Sequence, residues 1–385
     1  MVNLTHGGLS GGYRKYLQEL VPLLSADPAV TDLLMAVPPG QEGMLGRYGE
    51  LRTWGPNEPW RGFPDLAASV RSWKPHVVFV PTARWIDCGA PCVVMVRNME
   101  PMMPASPGAG LIGWGRNRVR ALVARRAAER ATRVIAVSGF VRDHLVSRWG
   151  IGADKVGVVP HGVSTTAASE PPEVLQAVVG KPFLFAAGSL EHYRGLEDAV
   201  GALALLSGPS DGRIGLVIAG AGSAAYQARV AGLADCLGVT GRVHWAGQLG
   251  AAQMAWGFEQ CAAFLMTSRV EACPNTALEA MAHGAVCVSS TNPPMPEFFA
   301  GAAAYYPAGD VPALAARIRG TREATASARE AARLLSRERA AQFTWATTAR
   351  LTVDELRRAL GKNSNDSVQG RDPTQDPSGS APAAR

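Results

Sequence analysis

The stretch CAAFLMTSRVEACPNTALEAMAHGAVCVSS, from Cys261 to Ser290, restricts this chain to one kind of architecture. Ala262 to Met266 is an apolar run of strand length, followed by Thr267, Ser268 and a loop carrying Glu271. Pro274 opens an Ala, Leu and Met-rich helix, and Ala285 to Val288 is a second apolar run. Strand, loop, helix and strand in that order form the repeating unit of a parallel sheet, whose strands need long helical crossovers. Ligands of such sheets bind beyond the carboxyl ends of the strands, beside helix N-termini whose first N–H groups have no partner within the helix. Pro274, Asn275 and Thr276 suit such a helix start, and an anion is the natural occupant.

Glu271 and Glu279 lie eight residues apart, a spacing that Glu42/Glu50, Glu50/Glu58 and Glu330/Glu338 share. Spacing is therefore uninformative, and context carries the weight. One carboxylate is expected in the loop after a buried strand, the other about two turns into the following helix. In that context the residues resemble the E-x7-E motif of retaining glycosyltransferases of the two-Rossmann-domain GT-B type, most closely glycosyltransferase family 4. The plainer alternative is two solvated glutamates, one before a helix and one within it.

A chain of 385 residues is long enough for two full cores, and 47% hydrophobic with 18% charged residues is the composition of an α/β protein. No apolar segment reaches membrane-spanning length, and Met1 to Leu24 lacks a basic-then-apolar secretory layout, so a cytoplasmic location is expected. Of the six cysteines, Cys236, Cys261, Cys273 and Cys287 fall in or beside core-like segments, and Cys88 and Cys92 have no matching ligand pair; buried thiols are expected. The net charge of +6 favours anionic partners such as phosphates or acidic lipid surfaces.

In the first half, Val2 to Thr5 runs into His6-Gly-Gly-Leu-Ser-Gly-Gly12 and then a helix with Leu17, Leu20, Val21 and Leu24 on one side. Glycines between strand and helix let backbone amides approach a diphosphate or sugar, although an ordinary flexible connection looks the same. This first strand is short, which suggests either a start codon placed late or an abbreviated sheet edge. Val77 to Val80, Cys92 to Val96, Val134 to Val137 and the segment KVGVV read as buried strands. The loop after the second of these presents Arg97, Asn98 and Glu100. A loop from Pro104 to Gly115 then precedes an arginine-laden helix reaching Arg133, in which Val119, Leu122 and Val123 are expected to pack inward. Its arginines make either a solvated face or an anchor for an acidic membrane or phosphorylated lipid. His161, in Pro160-His161-Gly162, reads as a hinge residue rather than a catalytic base.

In the second half, Phe183 to Ala187 leads through Ser189 and Arg194 into a helix from Leu196. Leu216 to Ala219 precedes Gly220-Ala-Gly222-Ser-Ala-Ala225, which fits a G-x-G-x-x-A dinucleotide fingerprint. The next strand, Val243 to Trp245, leads to Ala246-Gly247-Gln248 with no acidic residue placed to hold a ribose. Phe343 to Leu360 is a final helix, and the polar stretch from Lys362 onward is expected to be disordered.

The resemblance spans Val2 to about Leu360. It implies an N-terminal acceptor-side domain (1–165), a C-terminal nucleotide-sugar domain (166–342), a helix returning to the first domain (343–361) and a tail (362–385). It implies donor contacts from Gly8, Gly11, Gly12, Ser189, Arg194, Gly220, Gly247, Gln248, Glu271, Pro274, Asn275, Thr276 and Glu279, with Glu271 and Arg194 catalytic. Family members commonly carry an arginine where this chain has Ser189 and a histidine where it has the Arg97, Asn98 and Glu100 loop, here assigned to the acceptor side. Arg194 can bind phosphate bidentately, and Arg269 is a candidate for the missing second cation.

No Asp-x-Asp occurs in the chain, so no metal and no cofactor are expected. The expected partners are a nucleoside-diphosphate sugar and a hydroxyl acceptor, lipid-linked acceptors included, and no nucleic acid. The competing readings are a non-catalytic nucleotide-sugar-binding relative, a sugar-nucleotide epimerase, and an NAD-dependent oxidoreductase.

Overall fold

The computed structural model describes residues 1–4, 11–38, 42–55, 63–103, 110–168, 170–206 and 214–361. The first half contributes α1 (Gly11–Ser25), β1 (Leu34–Val37), α2 (Glu42–Leu45), β2 (Glu50–Thr53), α3 (Pro64–Ser72), β3 (Val78–Val80), β4 (Cys92–Val96), α4 (Gly110–Arg130), β5 (Arg133–Ala136), α5 (Gly139–Trp149) and β6 (Val156–Val158). The second contributes β7 (Phe183–Ala187), α6 (Leu196–Leu205), β8 (Gly215–Ala219), α7 (Ala224–Cys236), β9 (Val243–Gly247), α8 (Ala251–Gln260), β10 (Ala263–Met266), α9 (Asn275–Ala282), β11 (Cys287–Ser290), α10 (Met295–Phe299), β12 (Ala303–Tyr306), α11 (Val311–Glu323) and α12 (Ala326–Ala340). A last helix, α13, spans Trp345–Ala359.

All strand pairs are parallel. In the first sheet the order β3-β4-β5-β6 is joined to the pair β1-β2 by the N-terminal segment: Val2 N donates to Phe79 O and Asn3 N to Ala36 O, both at 2.8 Å. The short first strand is therefore central, not an abbreviated edge. The strands beyond it are β1 (LMAV), a buried apolar run that the sequence reading passed over, and β2 (ELRT), which is largely exposed and lacks the apolar run of a buried parallel strand.

The second sheet runs β12-β11-β10-β7-β8-β9. Alternate residues of β7 serve opposite cores: Phe183 and Phe185 pack with Phe258, Phe264 and Met281 on one face, Leu184 and Ala186 with Leu203, Val230 and Ile318 on the other. Both faces are covered, as a parallel sheet requires. Its switch point lies between β7 and β10, whose crossovers leave in opposite directions.

Helix α13 returns to the first half, where Trp345, Ala349 and Val353 join its core and Glu355 pairs with Arg133 at 2.6 Å. The outgoing and returning chains touch: Val163 N donates to Phe343 O (3.0 Å) and Thr348 Oγ1 to Pro160 O (2.8 Å).

Three expectations need correction. Helix α4 begins at Gly110, inside the segment read as loop. Its inward stripe is Ala124, Ala127 and Ala128, an i, i+3, i+4 row, and a helix that buries this row turns Val119, Leu122 and Val123 outward. Cys236, at the end of α7, is exposed, whereas Cys88, Cys92, Cys261 and Cys287 are buried. Residues 362–385 and the glycine-loop positions 5–10, Gly8 among them, lie outside the described residues. No described helix is long and apolar enough to cross a membrane.

Candidate active site

The loops after β7 and β10 are stitched together at the switch point. Arg269 N donates to Tyr193 O (2.6 Å), Thr267 Oγ1 to Arg194 O (2.7 Å) and Ser290 Oγ to Ser268 O (3.0 Å). This places two sequence-expected residues side by side: Arg194 Nη1 donates to Glu271 Oε1 at 2.5 Å, and both side chains are mostly buried. Ser189 Oγ lies 3.4 Å from Arg194 Nη2 and 3.0 Å from Tyr193 Oη. Arg194 Nε is buried with no partner among the described residues, so part of the guanidinium's donor capacity is unused.

Arg269 does not supply a second cation. Its Nη2 donates to the buried Asp198 at 2.7 Å, and Asp198 also accepts from Tyr306 Oη (3.0 Å) and Gly309 N (2.9 Å). A carboxylate so placed needs a fixed cation, and Arg269 is committed to it.

Helix α9 starts at Asn275 with Pro274 in the cap position, so Glu279 lies one turn in rather than two. Glu279 Oε1 accepts from Lys15 Nζ of α1 at 2.7 Å, across 264 residues of sequence. The two helix N-termini converge here: a Cβ added at Gly12 would come within 2.9 Å of Asn275 Nδ2, so the first turn of α1 lies against the first side chain of α9. Thr276 completes the first turn of α9. The leading N–H groups of α1 and α9 thus border one crevice between the two sheets, with a positive potential from both helix dipoles.

His161 forms the floor. Its Nδ1 is 2.9 Å from Asn275 Oδ1, and its ring lies between Tyr16 (centroids 4.8 Å apart) and Trp345 (6.2 Å). Burial pushes its pKa down to about 4, so the ring is neutral near pH 7. It joins the Pro160–Gly162 turn to the start of α9 and is buried.

On the opposite wall, Arg97 lies 3.6 Å from the Tyr13 ring centroid, and Tyr13 Oη donates to Asn3 Oδ1 (3.0 Å). Burial lowers the Arg97 pKa. Asn98 is exposed, its Oδ1 accepting from Glu100 N (2.9 Å), and Glu100 Oε1 accepts from Asn117 Nδ2 of α4 (3.2 Å). Of the three, Arg97 is packed inside the first half, Asn98 is exposed, and Glu100 is near enough to Tyr193 of the β7 loop to act on its phenol.

Gly220 sits under the β7 loop. A side chain there would lie 1.8 Å from Gly188 O, and φ is +137°. The glycine is thus required for packing of two protein backbones, and the G-x-G-x-x-A match carries no pyrophosphate argument. Gly247 and Gln248 are exposed at the end of edge strand β9, two strands from β7.

Sequence reasoning missed Lys15 and the role of Glu297. Lys15 has only the signal of a basic residue on the helix after a glycine loop. Glu297, in the Pro296-Glu297 dipeptide of α10, accepts from Gly139 N (2.7 Å) and Phe140 N (3.1 Å), capping α5 of the first half with a carboxylate from the second.

Two family models match the chain, "Glycosyl transferases group 1" over residues 169–334 and "Glycosyltransferase Family 4" over residues 11–167, which between them take in most of it. Among solved structures, Anabaena HepE in complex with UDP and glucose is similar, with a TM-score of 0.70 and 19% identity over 92% of this chain and 98% of that one. Sucrose-phosphate synthase from Thermosynechococcus elongatus aligns with a TM-score of 0.72 and 19% identity over 94% and 98%. A glycosyltransferase from Rickettsia africae aligns with 0.68 and 14% over 93% and 98%. No curated protein sequence matches significantly. With two parallel sheets facing across a crevice, a C-terminal helix that crosses back, and family models matched in both halves, the chain belongs to the group 1, family 4 glycosyltransferases of GT-B fold.

Proposed function

We propose that this protein transfers a hexosyl-type sugar from a nucleoside-diphosphate sugar to an acceptor hydroxyl, with retention at the anomeric carbon and without a metal, in the cytoplasm. The observation that carries this reading is the convergence of Arg194, Glu271 and Glu279 with the N-termini of α1 and α9 at one crevice. In this reading residues 1–165 hold the acceptor and 166–342 the donor.

Departure of a nucleoside diphosphate puts negative charge on a phosphate oxygen, and fixed donors aimed at that oxygen lower the barrier. Arg194 and the first N–H groups of α9 are those donors. Glu271 holds Arg194 in place before the donor arrives, and it faces the transferred sugar, where a carboxylate stabilises positive character at the anomeric carbon. Glu279 takes the ribose hydroxyls through Oε2, since Lys15 binds Oε1 and no other partner of Glu279 occurs among the described residues. Arg97, Asn98 and Glu100 border the acceptor. UDP-sugars are the first donors to test, since the structurally similar HepE is complexed with UDP and glucose.

The test incubates the purified chain with UDP-, GDP-, ADP- and dTDP-sugars, with and without cell-envelope extract and with EDTA, and measures released nucleoside diphosphate. Acceptor-dependent release with one nucleotide class, unchanged by EDTA, is expected. Conversion of the donor without any acceptor would point instead to an epimerase, and binding without turnover to a non-catalytic relative. Glu279→Gln should weaken donor binding about tenfold, the size of one charged hydrogen bond; unchanged affinity by calorimetry would remove Glu279 from the donor site.

A further inference from the structure

The loop after β7 holds more donor capacity than Arg194 alone. Ser189 Oγ and Tyr193 Oη lie 3.0 Å apart, and Ser189 Oγ also lies 3.4 Å from Arg194 Nη2. A pair of hydroxyls carries two hydrogens and spends one between them. An oxygen that faces a guanidinium presents its lone pairs, so the Ser189 hydrogen turns to Tyr193 and the phenol hydrogen is left over. No other hydrogen-bond partner of Tyr193 Oη occurs among the described residues. The nearby carboxylates are engaged elsewhere, Glu271 Oε1 by Arg194 and Glu100 Oε1 by Asn117. Burial pushes the Tyr193 pKa up, so the phenol keeps its proton near pH 7 and serves as a donor.

The phenol is also held in place. Tyr193 O accepts from Arg269 N (2.6 Å), the ring lies 5.3 Å from the Arg194 guanidinium, and it packs against the first-half core. A Cβ added at Gly188 would lie 2.8 Å from Arg194 Cζ, so the loop backbone supports the same guanidinium. One loop at the switch point thus presents two unspent donors, the buried Arg194 Nε and the phenol hydrogen. A diphosphate spreads its charge over several oxygens and one guanidinium does not reach them all, while Arg269 is tied to Asp198. We propose that Tyr193 is a phosphate-binding residue: its hydroxyl donates to the diphosphate beside Arg194, and Ser189 is a positioning residue that acts through it. This role rests on the nucleotide-sugar reading of the crevice and gives that site a neutral second donor.

The experiment first titrates the wild-type chain with UDP, GDP, ADP and dTDP; the tightest of these and its parent nucleoside are then the probes, by calorimetry and by ligand-observed NMR. Tyr193→Phe keeps the ring and its packing, so the melting curve should not move. It should weaken the diphosphate about tenfold, the size of one hydrogen bond to a charged group, and leave the nucleoside unchanged. Ser189→Ala should cost less, and the double variant no more than Tyr193→Phe alone, because nothing is then left to orient. Diphosphate affinity of folded Tyr193→Phe within about twofold of wild type would overturn the proposal. So would equal losses for diphosphate and nucleoside, which would make the phenol a brace towards Glu100, and additive losses in the double variant would remove the positioning role of Ser189. If the wild-type chain binds none of the four nucleotides, the nucleotide-sugar reading fails and takes this role with it; binding that Tyr193→Phe does not move sinks the role alone.

Discussion

Arg194→Ala is expected to lower kcat by about 10²–10³-fold, the loss that follows removal of one preorganised donor from developing oxyanion charge. Two effects add. The leaving diphosphate loses its guanidinium, and Glu271, only 11% exposed, is left beside the phosphates with no cation between. Because Arg269 is tied to Asp198, no neighbouring arginine on that loop takes over. Arg194→Lys should recover part of the rate, since an ammonium restores the charge but not the fork that spans Glu271, Ser268 and Ser189. Initial rates at saturating donor, with melting curves of each variant as a folding control, decide it. A kcat within threefold of wild type for the folded alanine variant would exclude Arg194 from the chemistry.

Glu355→Ala should be the most damaging change to stability, lowering it by about 3–5 kcal/mol through the stranding of a buried partner. Glu355 is 4% exposed and accepts from Arg133 Nε and Arg358 Nη1, both at 2.6 Å. Arg133, on β5, is 15% exposed and also donates to Asp154 O (2.8 Å). The triad fastens α13 to the first sheet, so the first urea transition should move while the second-domain core, which does not include these residues, unfolds as before. Replacing Arg133 and Glu355 together with apolar residues, Arg133→Met with Glu355→Leu, should recover much of the loss, because no buried charge is then left unpaired and the third member, Arg358, is 47% exposed to water. A shift below 1 kcal/mol in the single variant would show that the return helix is held by packing alone.

The two sheets were legible because buried parallel strands are written as short apolar runs, and the runs beginning at Phe183, Leu216 and Ala262 fall within two residues of β7, β8 and β10. The positions of Glu271, in the loop after β10, and of Glu279, within α9, were legible for the same reason, although Glu279 lies one turn into the helix rather than two. Partners were not legible. Lys15 with Glu279, Glu297 with Gly139 and Phe140, and Arg269 with Asp198 all depend on contacts between segments far apart in sequence. The facing of α4 was not legible because two sets of apolar residues compete at helical spacing, and it is Ala124, Ala127 and Ala128 that the fold buries.

What the sequence by itself determined is the class of fold, the switch-point loop and the residue types at the crevice, since strand and helix periods and helix-start chemistry are local. Which guanidinium is committed to structure and which has donor capacity to spare was decided only by tertiary packing, as was the outward turn of the arginine helix. Ion pairing and burial depend on distances through space, and a chain of residue types does not encode those distances until its two sheets have been folded against one another.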